Sequence, residues 1–284
     1  MPVIGTAKQT PPSYASGYAK SASESVHPEL WDGLVGAWVP NLGVTGDSLR
    51  DISGKGSHAT GDNFDVGTDW GITEVGPALT LSGDGSEGMI TDVSASDLVG
   101  TGGERFYITL SFWVKVNSVH QGMILGGTNG GNNRFYIECF SSNPAFHWGF
   151  GSSNNALSSN AFYNVGKWHH YAAVRIDRTV IDYLDGIEVG RDIGTSPASY
   201  TTNPIGIGYY DAGNLGFDGD IGLCQIWNRP LRADEVAEIA ADPMGMFRQR
   251  RYAPVSLQVE EPSFNNWYAR PGRKNRIIGS GVHV

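Results

Sequence analysis

The sequence VIDYLDGIEV, at residues 180–189, predicts a β-hairpin and with it the class of fold. β-Branched and aromatic residues, which favour strands, flank the dipeptide Asp185-Gly186 on both sides. A type I′ turn requires positive φ at both central residues, and Asp-Gly is among the pairs that adopt it most readily. Two antiparallel strands joined by this turn are therefore expected here.

Further strands are predicted on both sides of this hairpin. Residues 107–116 (YITLSFWVKV) alternate apolar with polar side chains over most of their length, which is typical of a sheet with one face on a core. So many short strands favour an all-β, two-sheet antiparallel jelly-roll sandwich over a small barrel. We expect Trp113, Trp168 and Tyr183 to face the space between the sheets. The other strand-like runs are 33–39, 78–81, 122–125, 135–140, 145–150, 168–175, 205–208 and 217–227.

One short C-terminal helix is predicted at residues 232–241. It follows Pro230 and ends before Pro243, and its apolar residues Val236 and Ile239 lie on one side. This helix is the only convincing exception to the β pattern.

The composition agrees with an all-β protein. The 284 residues include 39 glycines and 11% aromatic residues, and only 17% are charged. Glycine tolerates the positive φ that tight reversals of a strand need. No apolar run approaches the ~20 residues of a membrane-spanning helix, and the amino end lacks the hydrophobic stretch of a secretion signal. We therefore expect a soluble protein that is not secreted and has no membrane partner.

Charge is distributed unevenly along the chain. The formal net charge of −9 divides into +1 for residues 1–27, −15 for residues 28–247 and +5 for residues 248–284. A body this acidic repels nucleic acid over most of its surface, so only the basic tail could contact a polyanion. Nucleic acid is therefore not an expected partner.

The two ends of the chain are predicted to be arms that contact a partner. Residues 1–27 form an extended N-terminal arm, residues 28–247 the jelly roll, and residues 248–284 a basic, aromatic-containing tail. Disorder, or packing of the arms on their own domain, is the alternative. The residues expected to contact a partner are Tyr14, Tyr18, Arg248, Arg250, Arg251, Phe264, Trp267 and Tyr268.

The two cysteines leave alternatives open. Cys139 and Cys224 each lie in an apolar, strand-like run and not in a metal-binding pattern. They can pair as a disulfide if their strands are neighbours, or remain as two buried thiols. The absence of a secretion signal favours the thiols.

No pattern of catalytic residues stands out, and we expect a protein that is not an enzyme. His169 and His170 are adjacent in a strand, so they point to opposite faces and do not readily bind one ion. The chain has no G-x-S-x-G, phosphate-binding loop or H-E-x-x-H pattern. Amide-rich loops at residues 129–133, 143 and 152–160 are compatible with carbohydrate binding, but the same residues are ordinary in turns.

Several segments together resemble one family. WHHYAAV at 168–174, DYLDGIEV at 182–189, FDGDI at 217–221 and IWNRPL at 226–231 resemble the laminin-G-like branch of the concanavalin A-like jelly rolls. LVGAW at 34–38 and DISGKGSH at 51–58 are similar to that family's opening strand and glycine-rich turn. The resemblance spans roughly residues 30–245 and implies two curved antiparallel sheets.

Calcium is the one cofactor that this resemblance implies. Family members often hold the ion between the early Asp turn and an acid in the last long strand, with oxygen ligands. Asp51 matches the first position, whereas Gly222 stands where the strand usually has Asp. Asp51 is therefore a weak calcium ligand candidate, and no other cofactor is expected.

A second resemblance concerns the whole layout. The Pro/Ser/Tyr arm, SESVHPELWDGLVGAW at 23–38 and ADPMGMFR at 241–248 are similar to laminin-G-like proteins of tailed bacteriophages. This resemblance implies a structural protein of the virion, a capsid decoration or a head or tail fibre, which is made in the host cytoplasm and attached to other virion proteins through its arms. We expect a homo-oligomer, with a trimer favoured. The alternative is a lectin-like module that binds host or surface glycans.

Overall fold

The computed structural model describes residues 17–83, 87–94, 98, 107–127, 135–139, 144–150, 155–157, 161–193, 204–208 and 215–250. The strands are β1 (Leu34–Trp38), β2 (Val44–Thr45), β3 (Ser48–Leu49), β4 (Ala59–Asp62), β5 (Trp70–Thr73), β6 (Gly76–Ser82), β7 (Gly88–Ser94), β8 (Tyr107–Val116), β9 (Gly122–Gly127), β10 (Phe135–Cys139), β11 (Phe146–Phe150), β12 (Asn155–Leu157), β13 (Trp168–Ile176), β14 (Thr179–Leu184), β15 (Ile187–Ile193), β16 (Pro204–Ile207) and β17 (Asp218–Trp227). The helices are α1 (Pro40–Gly43) and α2 (Ala233–Ala241), with 3₁₀ turns η1 (Pro28–Trp31) and η2 (Gly245–Phe247).

The strands form two antiparallel sheets. The first sheet has eight strands. Seven follow the order β15-β14-β13-β8-β17-β6-β5, and the eighth, β1, pairs with the second half of β17, whose first half pairs with β6. The second sheet has nine strands in the order β12-β11-β10-β9-β16-β7-β4-β3-β2. This arrangement confirms the predicted two-sheet jelly-roll sandwich.

The main core lies between the sheets. Alternate residues of β8, among them Leu110 and Phe112, point into it from the first sheet and are fully buried. Phe146 of the second sheet packs on Tyr171 of the first, with ring centroids 4.8 Å apart. Such alternation of side chains is what period-2 patterning requires of a strand with one face on a core.

A second apolar cluster covers the outer face of the first sheet. Tyr183 and Trp227 pack there against α2, through Val236 and Ile239, and against Phe247 of η2. α2 begins within one residue of its predicted start, and its buried Val236 and Ile239 confirm the predicted apolar side. None of the described helices is long and apolar enough to cross a membrane.

The prediction that three aromatic residues face the space between the sheets is wrong. Tyr183 belongs to the outer cluster and Trp113 packs against it. Successive residues of a strand point to opposite faces, so the inward side chains of Phe112 and Tyr171 place Trp113 and Trp168 on the outer face. The alternation of residues along a strand distinguishes its two faces, but it does not indicate which face packs against the second sheet.

The hairpin at residues 180–189 is confirmed. Asp185 and Gly186 have φ of 51° and 81°, the two positive values that a type I′ turn requires. β14 and β15 pair on either side of this turn.

The two cysteines are buried free thiols. Cys139 lies in β10 of the second sheet and Cys224 in β17 of the first. Burial raises the pKa of both thiols, which keeps them protonated and unreactive.

Candidate functional site

Asp51 organises the glycine-rich turn that follows β3. Its Oδ1 accepts the backbone N–H groups of Ala37 and Ser53 at 2.9 and 2.8 Å, and its Oδ2 accepts the Ser53 hydroxyl at 2.7 Å and the Ser57 N–H at 3.1 Å. A carboxylate has about four acceptor positions. Four donors occupy them here, so Asp51 acts as the acceptor that shapes the loop, and its role as a calcium ligand stays a prediction.

An open cleft of about 290 Å³ lies beside this loop. Leu34 and Val35 of β1, in the first sheet, form one side, and Val93 of β7, in the second sheet, forms another. The cleft therefore lies at the rim where the two sheets meet. The polar residues around it are Lys55, Ser57, Asp92 and Asn228.

The polar side chains around the cleft have no partner within the described residues. Lys55, Asp92 and Asn228 are exposed, and their recorded hydrogen bonds, like those of Ser57, use backbone atoms only. Lys55 offers a donor and Asp92 an acceptor, while Ser57 and Asn228 offer both. The cleft thus combines free donors and acceptors in a concave place, the usual character of a ligand site.

A second polar group occupies the outer face of the first sheet. Lys115 Nζ lies 2.7 Å from Asp220 Oδ2, and the Thr80 hydroxyl donates to Asp220 Oδ1 at 2.7 Å. The hydrogen bond with Asp220 is the main cause that raises the pKa of Lys115. Lys115 Nζ also lies 5.7 Å from the centre of the half-buried Trp168 ring. Asp220, which is almost fully buried, thus pairs with a cation through one oxygen and accepts a hydroxyl through the other.

His169 and His170 make separate structural contacts, as predicted. His169 Nδ1 binds the carboxylate of Asp185 at 2.9 Å and its Nε2 accepts the Asn164 N–H at 3.0 Å. His170 is fully buried, and its Nε2 lies 2.9 Å from the Ser111 hydroxyl. Burial lowers the pKa of His170 to about 4, so this ring is neutral at pH 7.

The described ends of the chain lie on their own domain and against each other. Tyr18 is 7% exposed within the outer cluster, so its ring packs on its own domain, which is the alternative considered for the arms. Arg248 forms a two-pronged ion pair with Asp242, and Arg250 Nε donates to the Ser25 carbonyl at 2.5 Å. The bond from Arg250, together with the Val26 N–H that donates to the Arg248 carbonyl at 3.1 Å, joins the start of the domain to its end.

Other predicted contact residues lie outside the described part of the chain. They are Tyr14, Arg251, Phe264, Trp267 and Tyr268. The amide-rich loops at 129–133, 143 and 152–160 also fall outside it, except for the residues of β12.

The cleft was not predicted from the sequence. The glycine-rich turn signal included Lys55 and Ser57, and the IWNRPL segment included Asn228, but neither pattern indicated that the two segments meet. Asp92 carries no local signal. Only the pairing of β1 with β17 and of β4 with β7 brings these residues together.

Solved structures with a similar fold come from carbohydrate-active and toxin proteins. Domain 4 of AbnA, a GH43 extracellular arabinanase from Geobacillus stearothermophilus in complex with arabinotriose, is 19% identical, with a TM-score of 0.56 over 73% of this chain and 98% of that one. Botulinum neurotoxin type C, in a structure concerned with its interaction with two ganglioside molecules, is 12% identical, with a TM-score of 0.57 over 75% and 52%. At these identities the likeness shows the fold alone.

A third similar structure is Trypanosoma rangeli sialidase. It is 16% identical, with a TM-score of 0.54 over 75% of this chain and 33% of the sialidase. The chain thus spans about a third of the length of the sialidases that it matches.

Sequence comparison identifies the family. No curated protein sequence matches the chain significantly. Residues 91–237 match the Laminin_G_3 family, described as the concanavalin A-like lectin/glucanases superfamily. Because this match covers about half of the chain and the two-sheet fold agrees with it, the chain belongs to the concanavalin A-like lectin/glucanases superfamily.

Proposed function

We propose that the protein is a non-enzymatic carbohydrate-binding module and that the rim cleft is its sugar site. The observation that carries this proposal is the set of side chains without a partner among the described residues, Lys55, Ser57, Asp92 and Asn228, around a cleft of about 290 Å³. Sugar hydroxyls both donate and accept hydrogen bonds. Such a mixture of free donors and acceptors matches that chemistry.

The backbone that carries these side chains is held in place. Trp38 Nε1 donates to the Ser57 carbonyl at 2.8 Å, which adds to the contacts of Asp51 in the same loop. Asn228 N–H donates to the Gly33 carbonyl at 2.8 Å, and Gly33 has a φ of 70°. A Cβ on Gly33 would lie 2.9 Å from Asn228 Oδ1, so glycine leaves the space that the Asn228 side chain occupies. A fixed site lowers the cost of ordering on binding.

The relatives support a sugar ligand, and the carboxylates support a function without catalysis. The arabinanase domain of the same fold is known in complex with arabinotriose. Glycoside hydrolysis typically needs two carboxyl groups, one as acid and one as base or nucleophile. Among the residues that line the cleft, Asp92 alone carries a carboxylate.

A glycan array with the full chain, followed by calorimetry on the best ligand, tests this proposal. The variant Lys55→Met/Asp92→Asn is expected to bind at least about tenfold more weakly, because each lost hydrogen bond contributes about 1 kcal/mol. The control variant Lys167→Met/Asp177→Asn changes exposed residues that do not line the cleft and should bind normally. Unchanged binding by the cleft variant, or no binding by the full chain, contradicts the proposal. Cleavage of the bound oligosaccharide contradicts its non-enzymatic part.

A second proposal concerns attachment to a larger assembly, such as the head or tail of a phage particle. The observation that favours it is the charge of the chain, +3 for residues 251–284 against −13 for residues 28–250, which include the engaged Arg248 and Arg250. Opposite charges of this size favour contact between the tail and an acidic neighbour, including another copy of this chain. We propose a homo-oligomer, with a trimer favoured, that binds virion proteins through its ends.

Truncation tests the attachment. The truncated chain should keep residues 17–250, because Tyr18, Ser25, Arg248 and Arg250 pack on the domain. Light scattering should show an oligomer for the full chain and a smaller species for residues 1–250. When the truncated chain 17–250 replaces the full chain, phage particles should assemble without incorporating it. A monomer in both cases contradicts the oligomer, and full occupancy of particles by the truncated chain contradicts the attachment.

A further inference from the structure

Three possible metal ligands converge where the start of the domain meets its last helix. Nδ1 of His27 lies 3.3 Å from Glu29 Oε1 and 2.5 Å from Glu238 Oε1. All three ligand atoms lie within 4.8 Å of one another. His27 and Glu29 lie at η1, whereas Glu238 lies on α2 near the other end of the described chain. We infer that this cluster binds a divalent transition-metal ion.

The arrangement of donors and acceptors indicates a cation. An imidazole nitrogen carries at most one hydrogen, so Nδ1 of His27 can donate fully to only one of the two carboxylates that face it. The second carboxylate then lies beside the same nitrogen but has no hydrogen to accept from it. An ion among the three groups would accept a lone pair from each and neutralise both carboxylates.

The separations of the three ligand atoms, 3.3 Å, 2.5 Å and within 4.8 Å, bracket the spacing that a small ion requires. Ligand atoms bound to tetrahedral zinc at about 2.0–2.2 Å lie about 3.3 Å apart. The separation of His27 Nδ1 and Glu29 Oε1 has this value. Glu238 Oε1 must move away by less than about 1 Å, and its side chain is 36% exposed, so it has room to do so. One imidazole with two carboxylates suits zinc and its neighbours in the first transition row.

The backbone beneath these ligands is fixed. The His27 N–H donates to the Ser25 hydroxyl at 2.9 Å, and that hydroxyl, fully buried, donates to the Met246 carbonyl at 2.6 Å. The Glu29 carbonyl accepts Arg229 Nη2 at 3.0 Å, and Arg229 also holds Glu235 of α2. Both elements that supply ligands are therefore tied to the same arginine. Exposure of 27% to 45% at the three side chains leaves access for the ion and for a water as fourth ligand.

Metal binding would fasten the first described segment to α2. The ligands come from segments that are joined only in the folded state, so an ion bound there favours that state. The site is separate from the rim cleft, because none of its three residues lines that cleft. Its test therefore does not depend on the sugar-binding proposal.

Calorimetry with zinc chloride tests the inference on the full chain without a histidine tag. We expect one zinc ion per chain and a melting temperature that rises with zinc concentration. The variant Glu29→Gln/Glu238→Gln keeps the shape of the side chains and should bind zinc at least about tenfold more weakly, because it loses two of three ligands. The control variant Glu188→Gln changes a carboxylate of similar exposure, 41%, on β15 and should bind as the original chain does. Cobalt added in place of zinc should give the absorption spectrum of a four- or five-coordinate ion, lost in His27→Gln.

Three results would overturn the inference. The first is that the original chain does not bind zinc at millimolar zinc concentration. The second is that the double variant binds zinc as tightly as the original chain, which would place the ion at other histidines. The third is a cobalt spectrum that persists in His27→Gln. Circular dichroism establishes that each variant is folded. If the double variant unfolds, Glu29→Gln alone, at a side chain that is 45% exposed, decides the question.

Discussion

Asp185 Oδ2 lies 2.9 Å from Nδ1 of His169, and this contact ties the turn of the β14–β15 hairpin to the start of β13. The other carboxylate oxygen of Asp185 accepts the backbone N–H of His170 at 2.9 Å, and the Asp185 N–H donates to the His170 carbonyl at 2.7 Å. The aspartate therefore has two functions, since it adopts the positive φ of the turn and also binds the neighbouring strand. This relationship explains why the WHH and LDG segments act as one unit of the fold.

Replacement of Asp185 by alanine should separate these two functions. Asp177 provides a matched control, because it also has positive φ, 56° against 51°, but its side chain makes no hydrogen bond or ion pair with the other described residues. Asp177→Ala should cost about 1 kcal/mol from backbone strain alone. Asp185→Ala should cost about 1–2 kcal/mol more, because two hydrogen bonds are lost as well. Urea unfolding measures both values, and equal losses would show that the carboxylate contributes nothing.

His170 should make the domain less stable in mild acid. Its folded pKa, about 4, lies below the usual value of about 6.5 because the ring is buried. Between these values the unfolded chain binds a proton that the folded chain does not, so stability falls as the pH falls from about 6.5 to about 4. The full effect is on the order of 3 kcal/mol.

The variant His170→Gln tests this pH dependence. Glutamine can still reach the Ser111 hydroxyl but does not titrate. Unfolding free energies at several pH values should show a shallower acid slope for the variant than for the original chain. Identical slopes would mean that His170 does not titrate differently in the two states.

The pair Arg229–Glu235 should be strongly coupled. Two guanidinium nitrogens donate to the two oxygens of Glu235 at 2.8 and 2.9 Å, and the Glu235 side chain is only 2% exposed. Burial tends to raise the pKa of Glu235, but hydrogen bonds from Arg229 and from the Arg232 N–H lower it overall. Removal of the arginine would leave a buried charge without its main partner.

We expect Arg229→Met to cost about 3–5 kcal/mol and Arg229→Met/Glu235→Met to cost less than that single change. Arg191→Met, which breaks an exposed pair with Glu188, is the control and should cost less than about 1 kcal/mol. A double variant as unstable as the sum of both single variants would show that the two residues act independently.

Two tryptophans should differ in what they contribute to stability. Trp227 is fully buried under α2, and its Nε1 donates to the Leu30 carbonyl at 2.7 Å. Trp227→Ala should therefore cost about 3–5 kcal/mol. Trp168 is half-buried on the outer face beside Lys115, so Trp168→Ala should cost less. Equal losses in denaturant unfolding would show that Trp168 is as deeply packed as Trp227.

The sequence by itself determined the longer strands, the β14–β15 hairpin and α2, but not β2, β3, β4, β5, β7 or β12. These features depend on neighbours within a few residues, such as the positive φ of Asp185-Gly186 and the alternation along residues 107–116. The sequence left the pairing of the cysteines open, and Cys139 and Cys224 are free because they lie in different sheets.

Only the tertiary structure decided which face of each strand is covered, and by what. Alternation distinguishes the two faces of a strand, but here both faces of the first sheet carry apolar residues, because α2 and η2 cover the outer one. Trp113 and Tyr183 were therefore assigned to the wrong layer. The cleft residues Lys55 and Asn228 and the ligands His27 and Glu238 meet for the same physical reason: strand pairing and packing bring together residues that are far apart in the chain, and no local pattern records that contact.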